Sequence, residues 1–198
     1  MNIDLPARFI IQWKRFEKYQ FGALMAAYGY ASQDNKYLKK AEGTYKTAIK
    51  GMRKDGSLPG DSGRGGSALH YTNLALANLT AIAEFMALSG RNIYDLKSGQ
   101  KSLHLGVQFL AQSTKNPKLI AGYANTKDWQ AGSFTGYSPT NQDRRWASRA
   151  ASLWGYTYLA RFGRSAPGQS LRKASPFLSA GKAGVHQQSG GNARCFSG

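Results

Sequence analysis

Residues 67–89 read SALHYTNLALANLTAIAEFMALS. Leu69, Leu76, Leu79, Ile82, Phe85 and Met86 recur at helical spacing, and Glu84 is the one formally charged side chain in the run. A helix this poor in charge is predicted to be buried on most of its sides, with Gly90 closing it. On its N-terminal side, residues 36–54 place Tyr37, Leu38, Ala41, Tyr45, Ala48, Ile49 and Met52 on one face and lysines on the other. Asp34 or Ser32 is placed to cap that helix, and Asp55-Gly56 to end it. Residues 13–31 form a third candidate, rich in Ala and Tyr but weakened by Gly22 and Gly29. Residues 96–112 and 142–161 complete the set. No run alternates with period two, so little or no sheet is expected. The chain reads as all-α, built of antiparallel helical hairpins. No internal repeat marks it as a solenoid.

Composition narrows the partners. The chain has 198 residues, 41% of them hydrophobic and 12% aromatic, which excludes a disordered composition and suits one domain with a core. Twenty-seven Lys and Arg against ten Asp and Glu give a net charge of +17. That excess implies an anionic partner: nucleic acid, an anionic membrane surface or an acidic polysaccharide. With the single cysteine, Cys195, no internal disulfide can form. No stretch is long and apolar enough for a membrane-spanning helix. The start, MNIDLPARFIIQW, lacks the cationic-then-apolar pattern of a signal peptide. As written the chain is expected to stay in the cytoplasm, unless its true N-terminus lies further upstream. Residues 164–198 carry five basic and no acidic residues among many Gly and Ser, without an apolar period. They are expected to form a flexible basic tail after a folded domain at 10–163.

Two long loops remain. Residues 116–141 hold Trp129, Phe134 and Tyr137, whose rings suit either sugar stacking or loop anchoring. Residues 55–71, DGSLPGDSGRGGSALHY, place five glycines directly before Arg64, His70 and Tyr71 or among them. If the helix begins near Arg64, that residue and Tyr71 lie two turns apart on nearly one face, with Ser62 or Ser67 as a cap. Gly63, Gly65 and Gly66 would let a ligand approach the backbone closely. An arginine beside a tyrosine can hold an anion and stabilise developing negative charge; equally, Tyr71 can simply pack in the core. His70 would project about 100° away from Tyr71. His104 falls on the polar side of its helix and His186 in the tail, so three scattered histidines and one cysteine make no metal site. No cofactor is expected. Arg144, Arg145 and Arg149 open the last helix, where they can grip carboxylates or form a solvated face.

The string from Asp55 to Leu96 resembles the alginate lyase family of polysaccharide lyases. The matching pattern is a D-G-x-L-P turn at Asp55, Gly56, Leu58 and Pro59, then R-G-x-x-A-L-x-Y at Arg64, Gly65, Ala68, Leu69 and Tyr71. Ala83-Glu84 and then Gly90 and Tyr94 follow. The preceding KAEGTYKTAIKGMRK and the later RWASRAASLWGYTYLARFG are also similar to family helices. The resemblance implies an incomplete (α/α) toroid around a cleft and β-elimination on a uronic-acid polymer such as polymannuronate, without a metal. It implies Tyr71 as catalytic acid and base and Arg64 as its catalytic companion. His70, Asn73, Tyr19, Arg144, Arg145, Tyr137 and Trp129 become the expected substrate contacts. It further implies a periplasmic or secreted protein.

The family's Asn-Asn-His-x-Tyr-Trp motif is not matched in full. Tyr19 aligns with its tyrosine, but Phe16, Glu17 and Gln20 stand where Asn, His and Trp would be, and Thr72 follows Tyr71 where many members carry His. A non-catalytic binder of acidic polysaccharide, or an inactive fragment of a lyase, is therefore carried beside the lyase reading. A basic nucleic-acid binder stands third, with no helix-turn-helix, RNA-recognition or zinc pattern to support it. Apolar faces without partners are also expected, and with them oligomerisation or aggregation.

Overall fold

The computed structural model describes residues 7–124, 145–182 and 184, with side chains from residue 18 onward. It is helical throughout, and no strand occurs among the described residues beyond an isolated bridge between Ser98 and Lys101. The first hairpin pairs α1 (Ala7–Ala31) with α2 (Asn35–Gly51). Asp34 settles the choice of cap by accepting from the Lys36 amide at 2.8 Å. A short helix α3 (Pro59–Ser62) and a 3₁₀ turn (Gly65–Ser67) lead into the central helix α4 (Ala68–Leu88). α4 packs on α1, α2 and α5 (Leu103–Lys115). Fourteen of its twenty-one residues are buried, as its lack of charge requires. After α6 (Lys118–Ala124), the description resumes at 145.

Three expectations are corrected. Residues 96–112 do not start a helix at 96, because the Ser98–Lys101 turn, with Gly99 at φ +63°, intervenes. Ser102 then caps α5 by accepting from the Leu105 amide. Residues 142–161 are not one helix. Residues 145–149 are turns and Ala150–Ser152 is a 3₁₀ turn; the α-helix α7 begins only at Trp154 and ends at Phe162. Arg149 is extended at φ −129°, ψ 174°, and the Ser148 and Ser152 hydroxyls donate to the Arg145 and Arg149 carbonyls. Such side-chain bonds compete with helix geometry.

The third correction concerns the tail. Residues 166–179 fold into α8 (Ala166–Ala174) and α9 (Pro176–Ser179). Ser165 and Ser175 cap them by accepting from Gly168 and Leu178 amides, and Pro167 and Pro176 sit where a missing N–H does no harm. Leu171 and Leu178 are buried, and α8 packs along α5. Each buried leucine stabilises this attachment by about 1.5–3 kcal/mol. Helices of nine and four residues are too short to show a period against a Gly/Ser background. Residues 185–198, with His186 and Cys195, lie outside the described residues.

The core joins α1, α2, α4, α5, α7 and α8 into one cluster, with Tyr45, Tyr94, Trp146 and Tyr158 as its largest fully buried side chains. On α1, Phe21, Leu24 and Tyr28 remain 61%, 61% and 57% exposed along one helical face. α4 is tied to α7 by Glu84, which accepts two hydrogen bonds of 2.7 Å from Arg161 and one of 2.7 Å from Tyr94. Burial pushes the Glu84 carboxyl up, and the Arg161 and Tyr94 bonds with the Arg161 charge outweigh it, leaving it below its ordinary value. A depressed carboxylate stabilises the fold above its unfolded value and loses that contribution as pH falls through the folded one. Glu84→Gln is expected to cost about 1–2 kcal/mol at neutral pH, because Arg161 is partly exposed and screened. The difference from wild type should shrink in thermal unfolding below pH ~4.

Candidate functional site

The site grows from the loop between α2 and α4. Asp55 accepts from the Ser57 amide and hydroxyl at 3.0 and 2.7 Å and from Tyr123 at 2.8 Å. Burial raises the Asp55 carboxyl, but these hydrogen bonds prevail and hold it below its usual range. Arg53 stacks over the Tyr123 ring at 4.1 Å and donates to Ser57 and Ser62. Gly56 completes the turn at φ +93°, where a Cβ would stand 2.4 Å from the Leu105 carbonyl oxygen. This loop is therefore a packed structure pressed on α5. It delivers the chain to Gly65, which turns at φ +52° to start the 3₁₀ segment.

Arg64 stands at that corner. The helix does not begin near Arg64 but at Ala68, and neither Ser62 nor Ser67 caps it by a side-chain bond. The 3₁₀ turn nevertheless folds the Arg64 side chain back, so that its guanidinium lies 4.2 Å over the Tyr71 ring. The Arg64 Nε–H donates to the Gly60 carbonyl at 3.3 Å, and the residue is 6% exposed. A cation on a tyrosine face fixes the ring plane and keeps positive charge beside the phenol. His70 meets Tyr71 edge-on, with ring centroids 5.6 Å apart.

His70 also lines a cleft of about 400 Å³ with Ser67, Arg145, Trp146, Arg149 and Ala151. One wall comes from the start of α4, the other from residues 145–151. The helical register expected to align Arg145 and Arg149 is absent, yet the turns bring both arginines to one cleft. Trp146 is 1% exposed, and its indole N–H has no acceptor among the described residues. Two arginines and a histidine around a half-open cleft suit a carboxylate-bearing ligand.

The other expected contacts divide. Asn73, expected to touch substrate, is fully buried. Its amide donates to the Ala151 carbonyl at 3.1 Å and accepts from the Trp154 indole at 2.7 Å. Tyr19 packs on the core and is absent from the cleft lining. Trp129, Phe134, Tyr137 and Arg144 lie outside the described residues. His104, expected on a polar face, is half-buried instead, 2.7 Å from the Tyr158 hydroxyl and 3.5 Å from Asp95. Burial lowers its imidazole against the pull of Asp95. It belongs to the α5–α7 packing, away from the cleft. Ser67 and Trp146 were not expected as lining residues. Only Trp146 carried a signal, an aromatic next to Arg145. No group of three or more His, Cys, Asp or Glu among the described residues could hold a metal. No described helix is long and apolar enough to cross a membrane.

Helical hairpins that leave a basic cleft beside a tyrosine–arginine pair define an all-α fold of the incomplete (α/α) toroid class. Solved structures share it. Over 92% of this chain, a variant of alginate lyase A1-III complexed with tetrasaccharide superposes with a TM-score of 0.75 at 26% identity. The apo form gives 0.73 at 25% over the same share. A polysaccharide lyase of Stenotrophomonas maltophilia (strain K279a) is 35% identical over 82 residues, 41% of this chain and 25% of that protein. The family model for alginate lyase matches residues 18–120, more than half of the sequence. The chain belongs to the alginate lyase family. It spans 46% of the length of the two solved lyases.

Proposed function

We propose that the chain acts as a polysaccharide lyase on a uronic-acid polymer of the alginate, polymannuronate-like type, in the periplasm or outside the cell. The observation that carries this is the Arg64 guanidinium stacked 4.2 Å over Tyr71, whose ring meets His70, the residue that lines a cleft with Arg145 and Arg149. Elimination needs the uronate carboxylate neutralised, because only then does the adjacent C–H become acidic enough to lose its proton. Arg145 and Arg149 supply that surrounding charge, and His70 stands beside them in the cleft as a hydrogen-bonding group. Tyr71, acting as the base, takes the proton alpha to the carboxylate. The electron pair forms the new C=C bond as the C–O bond to the leaving sugar breaks. Tyr71 then returns the proton to the departing oxygen. Arg64 keeps the ring in place through both transfers.

A mass-spectrometric product analysis tests the reaction class. Lyase products at the new end are lighter by one water than hydrolysis products. Finding only the hydrated masses, or no fragments from folded protein, would defeat the proposal. Arg145→Gln with Arg149→Gln is expected to raise KM about tenfold, as charge-assisted contacts are lost. The double variant should also lose much of the salt dependence of kcat/KM, since both side chains are exposed and salt-screened.

A second reading has its own support. Phe16, Glu17 and Gln20 occupy positions where the family motif has Asn, His and Trp. A chain of that kind would bind acidic polysaccharide in the same cleft without cutting it.

A further inference from the structure

The wall that carries Arg145 and Arg149 has little regular structure of its own. It is held from two sides. From α9, the Ser175 hydroxyl and the Phe177 amide donate to the Ala147 carbonyl at 2.6 and 3.3 Å. From α4, Asn73 holds Ala151 and Trp154 with its single amide. Asn73 sits one helical turn beyond His70 and two residues beyond Tyr71, so it ties the wall to the helix that bears both. The amide is fully buried, with a donor and an acceptor each matched, and no other side chain of its size offers both groups in that geometry.

We propose that Asn73 is a positioning residue, which sets the spacing between the arginine wall and Tyr71 and thereby the grip on the uronate carboxylate. The inference rests on the lyase reading for its kinetic consequence, but its structural half does not. Removing the amide takes away the half-buried bond to the Ala151 carbonyl and leaves the buried Trp154 N–H without its acceptor, so residues 145–153 should open more often. An arginine displaced by an ångström from its carboxylate loses binding before it loses chemistry on Tyr71.

The test compares wild type with Asn73→Leu, which keeps the bulk but not the amide. Asn73→Asp serves if the first does not fold, since it keeps an acceptor for Trp154. Tyr94→Phe is the control, because it breaks a half-buried bond to Glu84, whose hydrogen bonds among the described residues involve neither Asn73 nor residues 145–153. Hydrogen exchange should quicken at least tenfold in residues 145–153 and stay unchanged in residues 103–115. On polymannuronate, KM should rise about tenfold with kcat within about threefold, while Tyr94→Phe lowers the unfolding temperature and leaves KM alone. Unchanged exchange in 145–153 would overturn the anchor. A quickened wall with unchanged KM, or an equal rise in Tyr94→Phe, would overturn the positioning role. A wild type that cuts no polymer would instead defeat the lyase reading, and the exchange comparison would still decide the anchor.

Discussion

Tyr71→Phe is expected to reduce cleavage of polyuronate by about 10²–10⁴-fold, the range that proton transfer by a positioned side chain contributes. The substitution removes one oxygen and keeps the ring that Arg64 covers and His70 abuts. Stability should therefore change by no more than about 1 kcal/mol. Affinity for uncut polymer should be nearly unchanged, because the charges lining the cleft are untouched. Steady-state rates, thermal unfolding and binding isotherms on one preparation separate these three quantities. A variant that keeps more than a tenth of the activity would remove Tyr71 from the proton transfers.

The second large effect is on the fold. Gly56→Ala is expected to destabilise the protein by about 3 kcal/mol or more. At φ +93° an L side chain is strained, and the added Cβ would meet the Leu105 carbonyl at 2.4 Å. That oxygen belongs to the backbone of α5, so it cannot swing aside as a flexible side chain would. For a chain of this size the loss corresponds to a fall of roughly 10 °C in unfolding temperature. Gly43→Ala, where nothing lies within 4 Å of the added atom, is the matched control and should not destabilise. Equal unfolding temperatures for the two variants would contradict the packed-loop description.

The contrast between these residues shows what the sequence could carry. α2 and α4 were legible because long runs with a 3.6 period and few competing polar groups have one way to fold. Arg64 and Tyr71 were legible as a pair through their spacing within a glycine-rich string, although the geometry that unites them is a 3₁₀ corner and not a shared helical face. Residues 145–153 misled, since arginine, alanine and serine read as helix formers while Ser148 and Ser152 turn their hydroxyls on the local backbone. α8 and α9 were missed because their stability lies in the burial of Leu171 and Leu178 and not in local pattern. Asn73 was counted among the substrate contacts expected from the family resemblance. Only the three-dimensional packing turns it inward, since its partners at Ala151 and Trp154 are distant in sequence.

The most direct measurement is the ultraviolet absorbance of the purified chain mixed with polymannuronate, polyguluronate and polyglucuronate in turn. β-Elimination conjugates the new double bond with the carboxylate, so the account predicts a steady rise with at least one polymer. Tyr71→Phe should abolish that rise. No rise with any polymer, from protein shown by circular dichroism to be helical and shown to bind, would contradict the lyase reading and leave a polysaccharide-binding member of the family.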